Sequence, residues 1–325
     1  MKKTSILLAI AGVAPCVLLV IWLGAGKILR AVLSVGWIGF AILLGWSLIL
    51  FVVLALAWHV VCPGAKLRTV IWSRLVREGG SNCLPFSGVG GLVFGARALA
   101  LGGVAWPRAI ASSIADVSAE FIGEIPFIVF GVAMLIARGP RSSPILPLVI
   151  GLGLIAAGLA ALFWAEKHAA TLLHRIGRRI AGRSMQQAES GANAVQQEFE
   201  RLFGEPRRIG AAAAIHFAGW IGGGMTVWIS YCLLGSRIGL GSAIAIEGLL
   251  SATLAVAFLV PGGIGVQEAS YVAIGRLFGM PAHISLGISL LRRARDIAIG
   301  VPALLSWQRS EARELRRTSK SDRHG

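Results

Sequence analysis

Apolar positions in this chain run mostly in long blocks. Uncharged windows cover residues 4–26, 31–65, 142–165, 209–236 and 248–267. Each can supply the roughly 20 apolar residues with which an α-helix crosses a bilayer core. A further apolar stretch at 109–136 carries a few isolated acids. The pattern predicts an all-α fold, a polytopic transmembrane helical bundle with about six full spans. They are placed near 5–25, 36–61, 109–136, 144–165, 209–235 and 241–260. Lys27 and Arg30 are read as an outer turn between the first two, and Arg138-Gly139-Pro140-Arg141 as the turn of a later hairpin.

Two further stretches, about 82–106 and 261–306, are apolar but interrupted. The first holds Pro85 and glycines 88, 90, 91, 95, 102 and 103; the second holds Pro261-Gly262-Gly263, Gly279 and Pro281. Glycine and proline interrupt helices through backbone entropy and a missing donor. Irregular backbone at membrane depth survives only where protein or a watery cavity shields it. Broken or re-entrant helices are therefore expected there. The two stretches also echo each other. Each has a Pro, a Gly-x-Gly (88–90 and 263–265), an apolar helical run, a Gly and a closing Pro. Paired interruptions of this kind in two halves of a membrane protein point to a central site and to a two-fold internal repeat.

Composition sharpens the class. Apolar types make up 56% of the 325 residues and charged types 14%, with a mean hydropathy of +0.76. Soluble domains carry about 25% charge. The net charge of +16 would point to nucleic acid in a soluble chain. Here the basic residues sit between spans, so they report orientation and no nucleic-acid partner is expected. Assigning 1–3, 62–80, 166–208 and 307–325 to the cytoplasm collects 20 of the 31 basic residues, against five in the outer turns. Both termini are then cytoplasmic. In 166–208, Leu172, Ile176 and Ile180 make an apolar stripe beside an Arg-rich face, the mark of an interfacial amphipathic helix. The organisation read is one integral membrane domain over 1–308, with that cytoplasmic loop at 166–208, and a basic cytoplasmic tail at 309–325. Lys2-Lys3 before a long apolar run reads as an uncleaved first span, with a cleaved signal as the alternative. Four scattered cysteines form neither a disulfide framework nor a metal motif.

The candidate site lies in charges that apolar helices do not ordinarily carry. Asp116, Glu120 and Glu124 recur every fourth residue and share one helical face. Arg292, Arg293, Arg295 and Asp296 sit in the last apolar helix. A central Arg, Lys or Asp costs about 2.5–3.5 kcal/mol on insertion scales, so these groups need partners. Their complementary signs predict that the two helices face each other or share a hydrated cavity. One reading is a structural ion-pair network; the other makes the arginines an anchor for an anionic headgroup, which guanidinium binds bidentately. A third puts Arg292–Asp296 at the inner surface, after a hairpin returning to the cytoplasm. The run Val260-Pro-Gly-Gly-Ile-Gly-Val-Gln-Glu268 adds a turn before a helix start, with Gly262, Gly263 and Gly265 freeing the backbone. A helix N-terminus there would hold an anion, and Glu268 is either its cap or a participant. His59, His216 and His283 are isolated and read as packed or interfacial. No cofactor or metal is expected, and G-x-x-x-x-G-K-[ST] does not occur.

The Pro-Gly-Gly-Ile-Gly-Val-Gln-Glu run, Asn82-x-Leu84-Pro85 with its Gly-x-Gly-Gly, and the Arg-containing final helix resemble the membrane region of lysylphosphatidylglycerol synthases. The resemblance covers about 5–307. The ending Leu-Leu-Arg-Arg-Ala-Arg-Asp is similar to the hopanoid-biosynthesis-associated subgroup. Many family members carry Gly-Glu after the first Gly-rich turn, where this chain has Gly90-Gly91. The resemblance implies a flippase-like lipid translocator of the bacterial inner membrane, with a hopanoid or an anionic phospholipid as substrate. It also implies lipid-biosynthesis enzymes as partners. Activity as an enzyme is not expected, because the aminoacyl-transferase domain of the larger synthases is absent. The competing classes are an intramembrane lipid transferase using Asp116, Glu120 or Glu268 as acid/base, and a non-catalytic subunit of a lipid-synthesis complex.

Overall fold

A computed structural model describes residues 25–83, 87–137, 185–256 and 265–321. Among these residues all regular structure is helical. The helices are α1 (Ala25–Val61), α2 (Leu67–Cys83), α3 (Ser87–Leu101), α4 (Trp106–Ile136), α5 (Met185–Phe203), α6 (Pro206–Leu233), α7 (Leu240–Val256), α8 (Val266–Leu277) and α9 (Ala282–Ser321). Three described segments are long and apolar enough to cross a bilayer: Leu33–Val61, Trp106–Ile136 and Pro206–Leu233. Shorter apolar helices, Gly90–Leu101 and Leu240–Ala255, lie within α3 and α7. Among the described residues the chain is all-helical, and its long apolar helices are those of a multi-pass membrane protein. The spans expected near 5–25 and 144–165, and the turn at 138–141, fall outside the described residues.

Several local expectations change, each for a physical reason. Lys27 and Arg30 lie within a helix that begins at Ala25, not in a turn; the chain redirects at Gly36, whose φ of +70° suits a residue without Cβ. Residues 62–80, read as a basic connection, contain most of α2 and bury Arg74 (1% exposed) and Arg77. Glycines 88, 90, 91 and 95 do not interrupt their helix, since α3 is continuous from Ser87 to Leu101. Instead Gly91 and Gly95 let it lie close against α2. A Cβ on Gly91 would stand 2.7 Å from the Arg77 carbonyl oxygen, and one on Gly95 would stand 2.9 Å from Arg77 Cβ. The break after α3 is the turn at 102–105, where Gly103 has φ +94°. The last stretch turns at Gly279 (φ +79°), then runs as one 40-residue helix through Pro302 to Ser321. The tail expected from 309 is thus helical to Ser321, and Arg97 of α3 pairs with its Glu311 at 2.7 Å. In the 166–208 region, α5 buries Val195, Phe199 and Leu202 in a cluster with Ala109, Ala115 and Ala212. The predicted stripe at Leu172, Ile176 and Ile180 lies outside the described residues.

Helix contacts occur in matching sets. α1 and α6 cross antiparallel, with Leu54 beside Gly219, Leu50 beside Gly222 and Gly39 beside Leu233. Trp46 Nε1 donates to the Gly222 carbonyl at 3.1 Å in the same crossing. α1 packs on α2 as α6 packs on α7; α2 on α3 as α7 on α8; α3 on α4 as α8 on α9. Across the molecule, α4 lies on α6 and α7, and α9 lies correspondingly on α1 and α2. Two of these cross-contacts are backbone against backbone. A Cβ on Gly79 of α2 would stand 2.7 Å from the Gly300 carbonyl oxygen of α9. One on Gly248 of α7 would stand 2.8 Å from the Phe127 carbonyl oxygen of α4. Small residues at helix crossings allow this approach where lipid supplies no hydrophobic drive between helices.

Gly79→Val is expected to destabilise the protein by about 1–3 kcal/mol through overpacking. Gly90→Ala, with open space at its Cβ, is expected to be neutral or stabilising by about 0.4–1 kcal/mol. Thermal melts of both variants in detergent check the contrast; equal melting temperatures would refute the close crossing.

Candidate functional site

The charges on α4 find their partners on α2. Asp116 and Glu120, one turn apart, face Arg74 and Arg77, three residues apart on the opposing helix. Arg74 donates to Asp116 Oδ2 at 3.2 Å and to Glu120 Oε1 at 2.9 Å. Arg77 donates to the same Asp116 oxygen at 2.5 Å and to Glu120 Oε2 at 2.6 Å. Glu78 closes the cluster with a 2.8 Å contact to Arg74. On its other side Asp116 meets His216 of α6, with Oδ1 and Nε2 2.9 Å apart. His216 is therefore no isolated packed histidine. Asp116, Glu120 and His216 also lie close enough to share a metal ion. Two guanidinium groups already bonded to those carboxylates supply the positive charge instead. Glu124, the third acid of the face, is buried beside Ser251 of α7.

A second cluster joins α7, α8 and α9. Arg292 donates to Glu247 Oε1 at 2.5 Å and to the Tyr271 hydroxyl at 3.2 Å, while that hydroxyl donates to Glu247 Oε2 at 3.0 Å. Glu268 caps the start of α8, accepting the Gly265 N–H at 2.7 Å. Its other oxygen accepts from Ser289 at 3.2 Å and from Arg293 Nε at 3.4 Å. Gln267 bonds Ser289 Oγ at 2.8 Å. Arg295 is held by its neighbour Asp296 at 2.6 Å. The arginines of α9 thus meet acids of α7, α8 and α9 itself, not the acids of α4.

Between the two clusters lies a cavity of about 150 Å³. One wall is apolar, with Leu43, Leu50, Phe51 and Leu54 of α1. The charged lining is Arg74, Glu78, Glu120, Glu247, Arg292 and Arg295. The shared cavity expected between the α4 acids and the α9 arginines is therefore present, although direct pairing across it is not. Of the residues singled out in the sequence, Glu120, Arg292 and Arg295 line it. Among the described residues, Asp116, Glu268, Arg293 and Gly265 are not in the lining; they belong to the networks that hold it. Gly262 and Gly263 lie outside the described residues.

The sequence reading passed over Arg74, Glu78, Glu247 and Tyr271. Counting Arg74 and Arg77 as cytoplasmic positive charge left the α9 arginines as the partners in view for the α4 acids. Glu247 had a usable signal, a lone acid within an apolar helix, which by itself marks a site candidate.

Comparison with known proteins gives one positive finding. The family model described as "Lysylphosphatidylglycerol synthase TM region" matches residues 6–303. No curated protein and no solved structure matches the chain.

Removing one partner of a buried ion pair costs about 3–5 kcal/mol, because the other charge is stranded. Glu247→Ala is expected to lose that much, and Glu247→Leu with Arg292→Met to recover most of it. Glu205→Ala breaks a half-exposed pair with Arg208 and is expected to cost about 0–1 kcal/mol. Thermal melts in detergent of the three variants check this ordering.

Proposed function

The chain belongs to the lysylphosphatidylglycerol synthase TM region family, and from that premise we propose that it is a flippase-like lipid translocator rather than an enzyme. One observation carries the reading: a cavity inside the helical bundle is lined both by apolar side chains, most of them on α1, and by charged ones. A phospholipid has the same two-sided chemistry, a polar head joined to hydrocarbon. An intramembrane charge marks a substrate path by default, and here three arginines and three glutamates border one space. Arg292 and Arg295 would contact the phosphate, for which guanidinium geometry is suited. Glu120 and the pairs behind it would hold α2 against α4.

The matched helix contacts support two inverted repeats, α1–α4 and α6–α9, with the cavity where they meet. α1 and α6 occupy equivalent places and run antiparallel, as inverted repeats require. Inverted repeats with a midplane site are a recurrent transporter plan, in which one repeat rocks against the other. The resemblance at the end of the chain favours a hopanoid-linked or anionic lipid as cargo, and lipid-biosynthesis enzymes as neighbours. The basic residues between spans favour the bacterial inner membrane with both termini inside. Since no Walker-type motif occurs in the sequence, a gradient or a partner would drive net movement.

Reconstitution into vesicles with acyl-labelled phospholipids tests the proposal, with leaflet location read by quenching of the outer label. Exchange is expected to exceed that of protein-free vesicles. Leu54→Trp, which fills the apolar wall, and the pair Arg292→Gln with Arg295→Gln are each expected to slow it about tenfold, equivalent to about 1.4 kcal/mol. Exchange indistinguishable from empty vesicles, for every lipid tried, sinks the translocator reading.

A further inference from the structure

Among the described residues, the buried acids of the bundle are Asp116, Glu124, Glu247 and Asp296. Three of them have a guanidinium within bonding distance. Arg77 lies 2.5 Å from Asp116, Arg292 2.5 Å from Glu247 and Arg295 2.6 Å from Asp296. Glu124 is the exception. It is 6% exposed, its bonded partner is the neutral Ser251 hydroxyl of α7, and no basic side chain pairs with it among the described residues. The charged groups around it do not compensate. Glu120, one turn earlier on α4, and Glu247 of α7 are both acids, and each is already held by arginine. His216 of α6 is bonded to Asp116, and Arg74 and Arg77 of α2 are bonded to Asp116 and Glu120.

From this missing counter-charge we propose that Glu124 is a proton-binding site, and that the proton is the ion coupled to lipid movement. The inference rests on the translocator reading and names what drives it. A buried carboxylate without a cation is far costlier than a neutral carboxyl that keeps a hydrogen bond. The Ser251 hydroxyl serves the neutral form, and the proton supplies the positive charge that no side chain brings. Position makes that proton exchangeable. Glu120 precedes Glu124 by one turn and Glu247 precedes Ser251 by one turn, and both glutamates line the cavity. The site is thus one helical pitch, about 5.4 Å, from side chains that border open space. It is also built into the crossing of α4 and α7. Glu124 with Ser251 is followed by Phe127 with Gly248 and by Gly131 with Ala245. A Cβ on Gly248 or Gly131 would stand 2.8 Å or 3.0 Å from the opposing carbonyl oxygen. In this closed crossing Glu124 has little water around it, so the closed form favours the proton. An opened crossing hydrates the carboxylate and releases the proton to cavity water. Proton occupancy and helix separation therefore bias each other reciprocally.

The test uses the full chain in vesicles holding an acyl-labelled phosphatidylglycerol and an entrapped pH dye. An imposed pH difference is expected to make exchange about tenfold faster in one direction, a bias of about 1.4 kcal/mol, with proton movement accompanying the lipid. Glu124→Gln keeps the side-chain shape and removes the proton site. It is expected to make the two directions equal and to abolish the accompanying proton movement, while Glu124→Asp restores part of the bias. The infrared carbonyl band of a protonated carboxyl gives a reading independent of transport. That band is expected in the detergent-solubilised parent at neutral pH and is expected to be lost in Glu124→Gln. Its absence from the parent overturns the site whether or not the variant folds. A directional bias unchanged in Glu124→Gln places the proton elsewhere and overturns the assignment. Exchange in the parent that ignores the pH difference overturns proton coupling and leaves translocation standing. Exchange of no labelled lipid, phosphatidylethanolamine included, overturns translocation and the coupling together.

Discussion

A charge carried on an apolar helix has to meet its opposite inside the bundle, and this constraint organises the molecule. Helices α2 and α4 are held by a four-membered network in which two guanidinium groups share two carboxylates. Helices α7 and α9 are held by one short arginine–glutamate contact braced by a tyrosine. Buried pairs gain little net stability over well-packed hydrocarbon, and they are costly to break singly. Their chief effect is therefore on register: each helix is pinned at the level where its partner waits. The apolar packing around Trp58, Tyr231 and Leu250 fills the space between the helices, and the ion pairs set which residues meet.

That division of labour explains which parts of the fold were legible in the sequence. Long apolar blocks near 36–61, 109–136 and 209–235 reported helices directly, because hydropathy over about 20 residues is an average that single positions do not upset. Turns at Gly103 and Gly279 were legible as interruptions. What hydropathy could not separate was a glycine that stops a helix from a glycine that lets another helix come near. Gly91 and Gly95 are of the second kind, and their meaning lies in α2, which sequence order does not place beside them. Helix α2 itself was misread for a related reason. Its basic residues look like a cytoplasmic connection until the acids of α4 are seen to be within bonding distance.

The candidate site was half legible. Regular spacing exposed the acidic face of α4, and density of charge exposed the arginines of α9. Both proved to border one cavity, but the expected pairing between them did not occur. Each set is satisfied locally, by Arg74 and Arg77 in one case and by Glu247 and Glu268 in the other. Sign complementarity in a sequence names who can pair, not who does. His216 shows the same limit, since nothing in its neighbourhood along the chain announces Asp116, 100 positions away.

The crossings at Gly79–Gly300 and at Gly248 against Phe127 join the first set of helices to the second with main chain on main chain. Interlocked knobs must be withdrawn before one rod can move past another, but two bare ribbons have no knobs to withdraw. At these two points the helices meet without a side chain between them. Their resistance to shear comes from the ion pairs and side chains beside them, so whatever disturbs those pairs also loosens the seam.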